Sequence, residues 1–193
     1  MNIEILYIAI YSYLLGSIPF GLILTKIFLN KDLREIGSGN IGATNAFRTG
    51  KKSLGIITLI FDVLKGYLSI LITLNYLQEY IYFSSLLCLL GHIFPVWLKF
   101  KGGKGVAVYL GILFSFSLNL GFLFVLTWLI VLFFSKYSSL SSLVSALTIF
   151  TYSIIFKSFE ESIFFFIIFI IMIYTHRANI FRLKNKKENK INI

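Results

Sequence analysis

Charge is scarce in this chain. Only 13% of its 193 residues are Asp, Glu, Lys or Arg, where a soluble domain carries about a quarter. Cys88 is the single cysteine, which excludes an internal disulfide and a cysteine-rich metal site. Two histidines and eight acids lie too far apart in sequence to suggest a zinc cage, so no metal and no cofactor are expected. Two prolines leave long helices uninterrupted. The N-terminal apolar run lacks a basic leader and a small-residue cleavage site, so no cleavable signal peptide is expected. What is plentiful is apolar: 58% hydrophobic and 18% aromatic residues, gathered into long blocks nearly free of charge. That pattern predicts an all-α, polytopic integral membrane protein.

The blocks run over about 3–29, 54–77, 81–98, 106–118, 120–135, 140–156 and 163–175. The first is long enough for a span of ~20 residues and the last four are short for one, though tilting or local thinning of the bilayer accommodates short segments. Seven spans are the expectation. A five-span arrangement, with the fourth and fifth blocks merged or re-entrant, is the alternative, and breaks at Asn119, 138–142 and 157–161 favour seven. If alternate connections share a side, fifteen of the eighteen basic residues collect on one face. The positive-inside rule then puts the N-terminus outside and the C-terminus in the cytoplasm. The net charge of +10 is thereby a matter of topology and of attraction to anionic lipid. No aromatic-and-basic nucleic-acid module occurs. The chain reads as one membrane domain over 1–193 with a basic tail at 184–193.

Three polar runs are not explained by topology. The first is Gly37-Ser38-Gly39-Asn40-Ile41-Gly42-Ala43-Thr44-Asn45-Ala46-Phe47-Arg48. Its glycines permit positive φ and close backbone approach, its amides can form an anion nest, and Arg48 can grip two oxygens. Gly/Ser/Asn runs also serve as linkers, but a linker needs neither the arginine nor the spaced hydroxyls. The second is Gly91-His92-Ile93-Phe94-Pro95 continuing to Gly102-Gly103-Lys104-Gly105. There amides, a cation and a helix start coincide, as in a phosphate cradle, or the glycines merely make a turn. It is not a nucleotide-binding P-loop, which needs Gly-x4-Gly-Lys-Ser/Thr. His92 is a core histidine or a polar group lining the site.

The third run is Thr175-His176-Arg177-Ala178-Asn179-Ile180-Phe181-Arg182-Leu183. His176, Asn179 and Arg182 recur every three residues, on one side of a helix. All three runs fall on the cytoplasmic face by charge, and that convergence favours one phosphate-binding site. Asp62 and Lys65 lie three apart inside the second block. Ionisable groups there are functional or form a structural pair, and their position below the 37–48 run predicts that they reach it. Ser138, Ser139, Ser141 and Ser142 read as a helix N-cap, with Ser142 a further candidate for binding.

These residues identify a resemblance. GSGNIGATNAFR at 37–48, DVLKG at 62–66, GHIFPVWLKFKGGKGVA at 91–107, and HRANIFRL at 176–183 with Glu188 beyond resemble the bacterial acyl-phosphate-dependent glycerol-3-phosphate acyltransferase family in order and spacing over nearly the whole chain. The resemblance implies a seven-helix fold in the bacterial inner membrane with its site facing the cytoplasm. It also implies acyl transfer from acyl phosphate to glycerol 3-phosphate, giving lysophosphatidic acid and phosphate. The residues it points to for catalysis are Ser38, Asn45, Arg48, Lys104, His176 and Asn179. For substrate binding they are Gly37, Gly39, Asn40, Gly42, Thr44, Asp62, Lys65, His92, Gly102, Gly103, Gly105, Ser142 and Arg182. The partners are the two substrates and the bilayer, with no nucleic acid or metal. Two positions depart from the family: Val108 stands where threonine is common, and Lys186 where glycine precedes the tail glutamate.

The chemistry suits the residues. Both substrates carry phosphate, so two anion holes are needed. Acyl phosphate is already activated, so positioning and electrostatics suffice. His92 or His176 is a candidate base by type, and a substrate phosphate is the favoured one. Neither histidine has an aspartate at the His-x4-Asp spacing of thioester-using acyltransferases. A transporter of a phosphorylated metabolite is the alternative function, though such proteins carry repeats and a midplane site and no repeat is evident. A non-catalytic lipid-binding scaffold would not require the glycine-rich runs.

Overall fold

The computed structural model describes residues 3–191, and among them every regular element is helical. The α-helices are α1 Ile3–Ser17, α2 Phe20–Leu29, α3 Ala43–Phe47, α4 Lys52–Tyr76, α5 Ile81–Ile93, α6 Val106–Phe116, α7 Leu118–Ser135, α8 Ser138–Phe156, α9 Phe159–Thr175 and α10 Arg177–Lys184. All seven apolar blocks are helical. Five stretches are long and apolar enough to cross a bilayer: Ile3–Leu29, Lys52–Tyr76, Gln78–Leu98, Leu118–Ser135 and Ser138–Phe156. The pair α9 and α10, bent by 62°, brings the candidate spans to six, while α6 has only 11 residues. The protein is a multi-pass integral membrane protein with five to six candidate spans.

The chain divides into two compact units, one to Ser115 and one from Phe116. The first unit packs α1 against α5, with α4 beside both. Gly16 lies against the carbonyl of Cys88 and Gly91 against that of Tyr13, so a Cβ at either would collide with the facing backbone. That contact is the small-residue approach by which helices associate in lipid. Its interior mixes apolar side chains such as Ile70, Leu89 and Ile112 with a cluster of buried hydroxyls. Ser12, Ser69 and Ser84 are fully buried, and Ser84 Oγ meets Ser12 Oγ at 2.9 Å and Thr73 Oγ1 at 2.8 Å. Outside, large apolar side chains face outward, such as Tyr76 at 81% exposure. This arrangement is what a bilayer selects, since lipid tails give apolar groups no reason to turn inward. Pro19, which has no N–H, separates α1 from α2.

The second unit contains α7 to α10. Ser117 caps α7 by accepting from Asn119 N, so the break falls two residues before the expected Asn119. Lys136, with φ 64°, and Tyr137 join α7 to α8. The expectation that the serines cap α8 is corrected: Tyr137 precedes it and no side chain caps it. Instead Ser141 and Ser142 donate back to the carbonyls of Tyr137 and Ser138, the alternative bonding open to hydroxyls within a helix. Phe150 packs on Phe166 and Phe169 between α8 and α9.

Candidate active site

The 37–48 loop is built around Asn45, which is 2% exposed. Its Nδ2 donates to the carbonyls of Leu33, Ile36 and Asn40 at 3.0, 2.9 and 2.8 Å, and its Oδ1 accepts from Ser38 N at 2.9 Å. An amide side chain has two N–H groups and one carbonyl, so Asn45 is committed to shaping the loop's own backbone. Gly37 and Gly39 take φ of 55° and 71°, the left-handed region open to glycine. The result holds Ser38 and Arg48 exposed on the same loop, with the Arg48 stem alongside Gly37. Asn40, Gly42 and Thr44 are half-buried where the loop enters α3. Just upstream, the Arg34 guanidinium bonded to Asp32 holds its carboxyl at about 2. Asp32 also accepts from Arg34 N, which pins the turn that begins at Leu33.

Asp62 and Lys65 do not meet this loop's polar side chains. Both are 2% exposed, and Lys65 Nζ lies 2.7 Å from Ile18 O, 2.8 Å from Asp62 Oδ1 and 2.9 Å from His92 Nδ1. The predicted reach therefore gives way to a closed group at the α1–α2 break, where Ile18 O lies outside either helix and accepts from Lys65 Nζ. His92 is 5% exposed and its ring abuts Gly103. The amides of Gly102 and Gly103, expected to cradle an anion, donate to Ile93 O and His92 O, each at 3.0 Å. Of the expected cradle, Lys104 is half-buried and Gly105 takes φ 86° at the entrance to α6. Val108 is fully buried with its carbonyl against Gly66, so a hydroxyl in its place would face packed protein.

In the second unit the chain bends at His176, whose Nδ1 lies 2.8 Å from Met172 O. A carbonyl only accepts, so that contact makes Nδ1 the donor and fixes the ring. Asn179 and Arg182, expected on one helix side, do converge, and they converge on Glu188. Asn179 Nδ2 donates to Oε1 at 2.6 Å, Arg182 Nε to Oε2 at 2.7 Å and Ser139 Oγ to Oε1 at 2.9 Å. Burial pushes the Glu188 carboxyl up, but these three bonds and the guanidinium outweigh it and hold it below its ordinary value. Ser142 is 3% exposed and accepts from Trp128 Nε1 at 3.2 Å, joining α8 to α7.

Glu188 and Ser139 are the organising residues that spacing alone did not single out. Their only signal was the glutamate's place beyond the HRANIFRL run and the serine's in the 138–142 patch. Lys186 answers its own departure: it takes φ 56°, the conformation glycine would adopt.

The model of the glycerol-3-phosphate acyltransferase family matches residues 6–186. A glycerol-3-phosphate acyltransferase of Pelagibacter ubique is 58% identical over 191 residues, covering 98% of this chain and 99% of its own. The enzyme of the same name from Ehrlichia canis is 47% identical, covering 95% and 97%. Among solved structures, PlsY (YgiH), an integral membrane glycerol 3-phosphate acyltransferase in its glycerol 3-phosphate form, is 35% identical with a TM-score of 0.93. It covers 98% of this chain and 96% of its own. Its lysophosphatidic acid form gives 34% and 0.90 over the same coverage.

Proposed function

The chain belongs to the glycerol-3-phosphate acyltransferase family, and from that premise we propose that it moves a fatty acyl group from acyl phosphate to glycerol 3-phosphate. The glycerol hydroxyl oxygen attacks the acyl carbonyl carbon, the bond from that carbon to the phosphate oxygen breaks, and the proton passes to a phosphate oxygen. The products are lysophosphatidic acid and inorganic phosphate. The observation that carries the reading is likeness over 98% of the chain to an integral membrane enzyme known in a glycerol 3-phosphate form and a lysophosphatidic acid form. These are one acceptor and one product of a single acyl transfer.

The residues support it by their chemistry. Ser38 and Arg48 stand exposed on a loop braced by Asn45, suited to gripping phosphate oxygens. Lys104 and Gly105 offer a cation and the start of α6 to an anion. His176 is fixed by its Nδ1 bond to Met172 O, and Asn179 and Arg182 are locked by Glu188. Substrate phosphate as proton acceptor is favoured by His92, whose Nδ1 already receives Lys65. The proposed setting is the bacterial inner membrane, crossed seven times with α6 and α9 counted, N-terminus outside and the site facing the cytoplasm. The basic residues gathered on one side support this orientation.

Purified protein in detergent tests the reading. Acyl phosphate with glycerol 3-phosphate should give lysophosphatidic acid, with inorganic phosphate inhibiting and a chelator without effect. Acyl-CoA in place of acyl phosphate should give little product. Robust turnover with acyl-CoA, or strict dependence on a divalent metal, would overturn the mechanism.

A further inference from the structure

Two charges buried in the α4 segment call for a role, because a buried ion pair is no better for stability than apolar side chains of the same volume. An ammonium has three N–H donors. Lys65 Nζ donates to the carbonyl at the α1–α2 break and faces His92 Nδ1 on α5, while the Asp62 carboxylate on its own helix, 2.8 Å away, balances its charge as an ion pair without hydrogen-bond geometry. Because an ammonium only donates, the Nδ1 facing it carries the lone pair and the ring's hydrogen sits on Nε2. That far edge of the ring is what Gly103 rests on: the three atoms nearest to a Cβ built there are Nε2, Cε1 and Cδ2 of His92. The backbone of the same histidine accepts from Gly103 N, and Ile93 O accepts from Gly102 N. His92 thus seats the loop by ring and by carbonyl, and Lys104 follows directly.

We infer that Lys65, paired with Asp62, is a positioning residue that locks the His92 ring beneath the 102–105 loop and so sets where Lys104 and Gly105 meet a phosphate group. The inference rests on the reading that this loop holds a substrate phosphate. It treats Asp62, Lys65 and His92 as acting through the loop rather than by touching substrate. Charge at position 65 then governs affinity for phosphate, not the acyl-transfer step.

Lys65→Met alone leaves Asp62 buried without its partner and is expected to misfold. The informative variant is Asp62→Asn/Lys65→Met, which removes both charges at nearly constant volume. Its KM for glycerol 3-phosphate, or the inhibition constant of inorganic phosphate, should rise about tenfold with kcat within about threefold of the parent. A folded double variant with the parent's KM and inhibition constant, or one that loses kcat alone, overturns the inference. If the double variant does not fold, His92→Asn takes its place. It keeps an acceptor opposite Lys65 but withdraws the ring edge from Gly103, so a raised KM supports the inference and an unchanged one refutes it. A parent that does not acylate glycerol 3-phosphate defeats the functional reading instead. Hydrogen exchange then decides the positioning role: faster exchange at the Gly102 and Gly103 amides in either variant supports it, and unchanged exchange overturns it.

Discussion

Asn45 and Arg48 lie on one short loop and do opposite work. The amide side chain bonds inward to four backbone groups, while the guanidinium is exposed. Removing the cation should therefore leave the loop standing and impair turnover. Arg48→Ala and Lys104→Ala are each expected to lower kcat/KM by roughly tenfold to a hundredfold, the scale of a lost charge-assisted contact. Lys187→Ala, an exposed tail charge, should be near neutral. Steady-state kinetics on the three variants check this, and equal behaviour would deny the two cations their special place. Arg48 and Lys104 were legible in the sequence because a cation beside glycines is a local pattern. The holding roles of Asn45 and Glu188 were not, because each depends on carbonyls or donors 5 to 49 residues away.

At the scale of elements, the end of α10 shows how local conformation sets a distant contact. Lys187 N donates to Arg182 O at 2.8 Å and Lys186 N to Leu183 O at 3.1 Å, the paired bonds of a Schellman ending with Lys186 as its left-handed residue. A side chain in that conformation costs roughly 1–2 kcal/mol. Lys186→Gly should relieve part of that, raise the apparent Tm and slow proteolysis of the tail; no change in either would mean the strain is not expressed. The turn delivers Glu188 to Ser139, Asn179 and Arg182. Since its folded pKa is lowered, these bonds contribute fully above the ordinary glutamate value of 4.5. They are lost as pH falls below that through the depressed folded value. Tail protection measured by hydrogen exchange should fall in that acid window, and Glu188→Gln should abolish the pH dependence. Helix boundaries were less legible than helix existence: Ser117 ends α6 where Asn119 was expected, since a serine capping an amide two residues on resembles any other polar break.

For the whole molecule, the apolar blocks were readable because a bilayer imposes length and composition together. The number of crossings was not, because α6, with 11 residues at about 1.5 Å each, falls well short of a ~30 Å hydrocarbon core. Sidedness is open to chemistry. With Cys88 replaced, a cysteine at Lys52 should resist a membrane-impermeant reagent in intact cells and one at Ser158 should react; the reverse pattern would invert the proposed orientation. The hydroxyl cluster inside the first unit has a consequence for biosynthesis. Ser12 and Ser84, 72 residues apart, bond one another directly, so α1 is synthesised well before its partner. At about 5–20 residues per second, roughly 4–15 s separate the synthesis of Ser12 from that of Ser84. Crosslinking from position 12 to the insertion machinery should be strong in chains stalled before Ser84 and fall once α5 has emerged; equal crosslinking at both lengths would show that α1 does not wait for its partner.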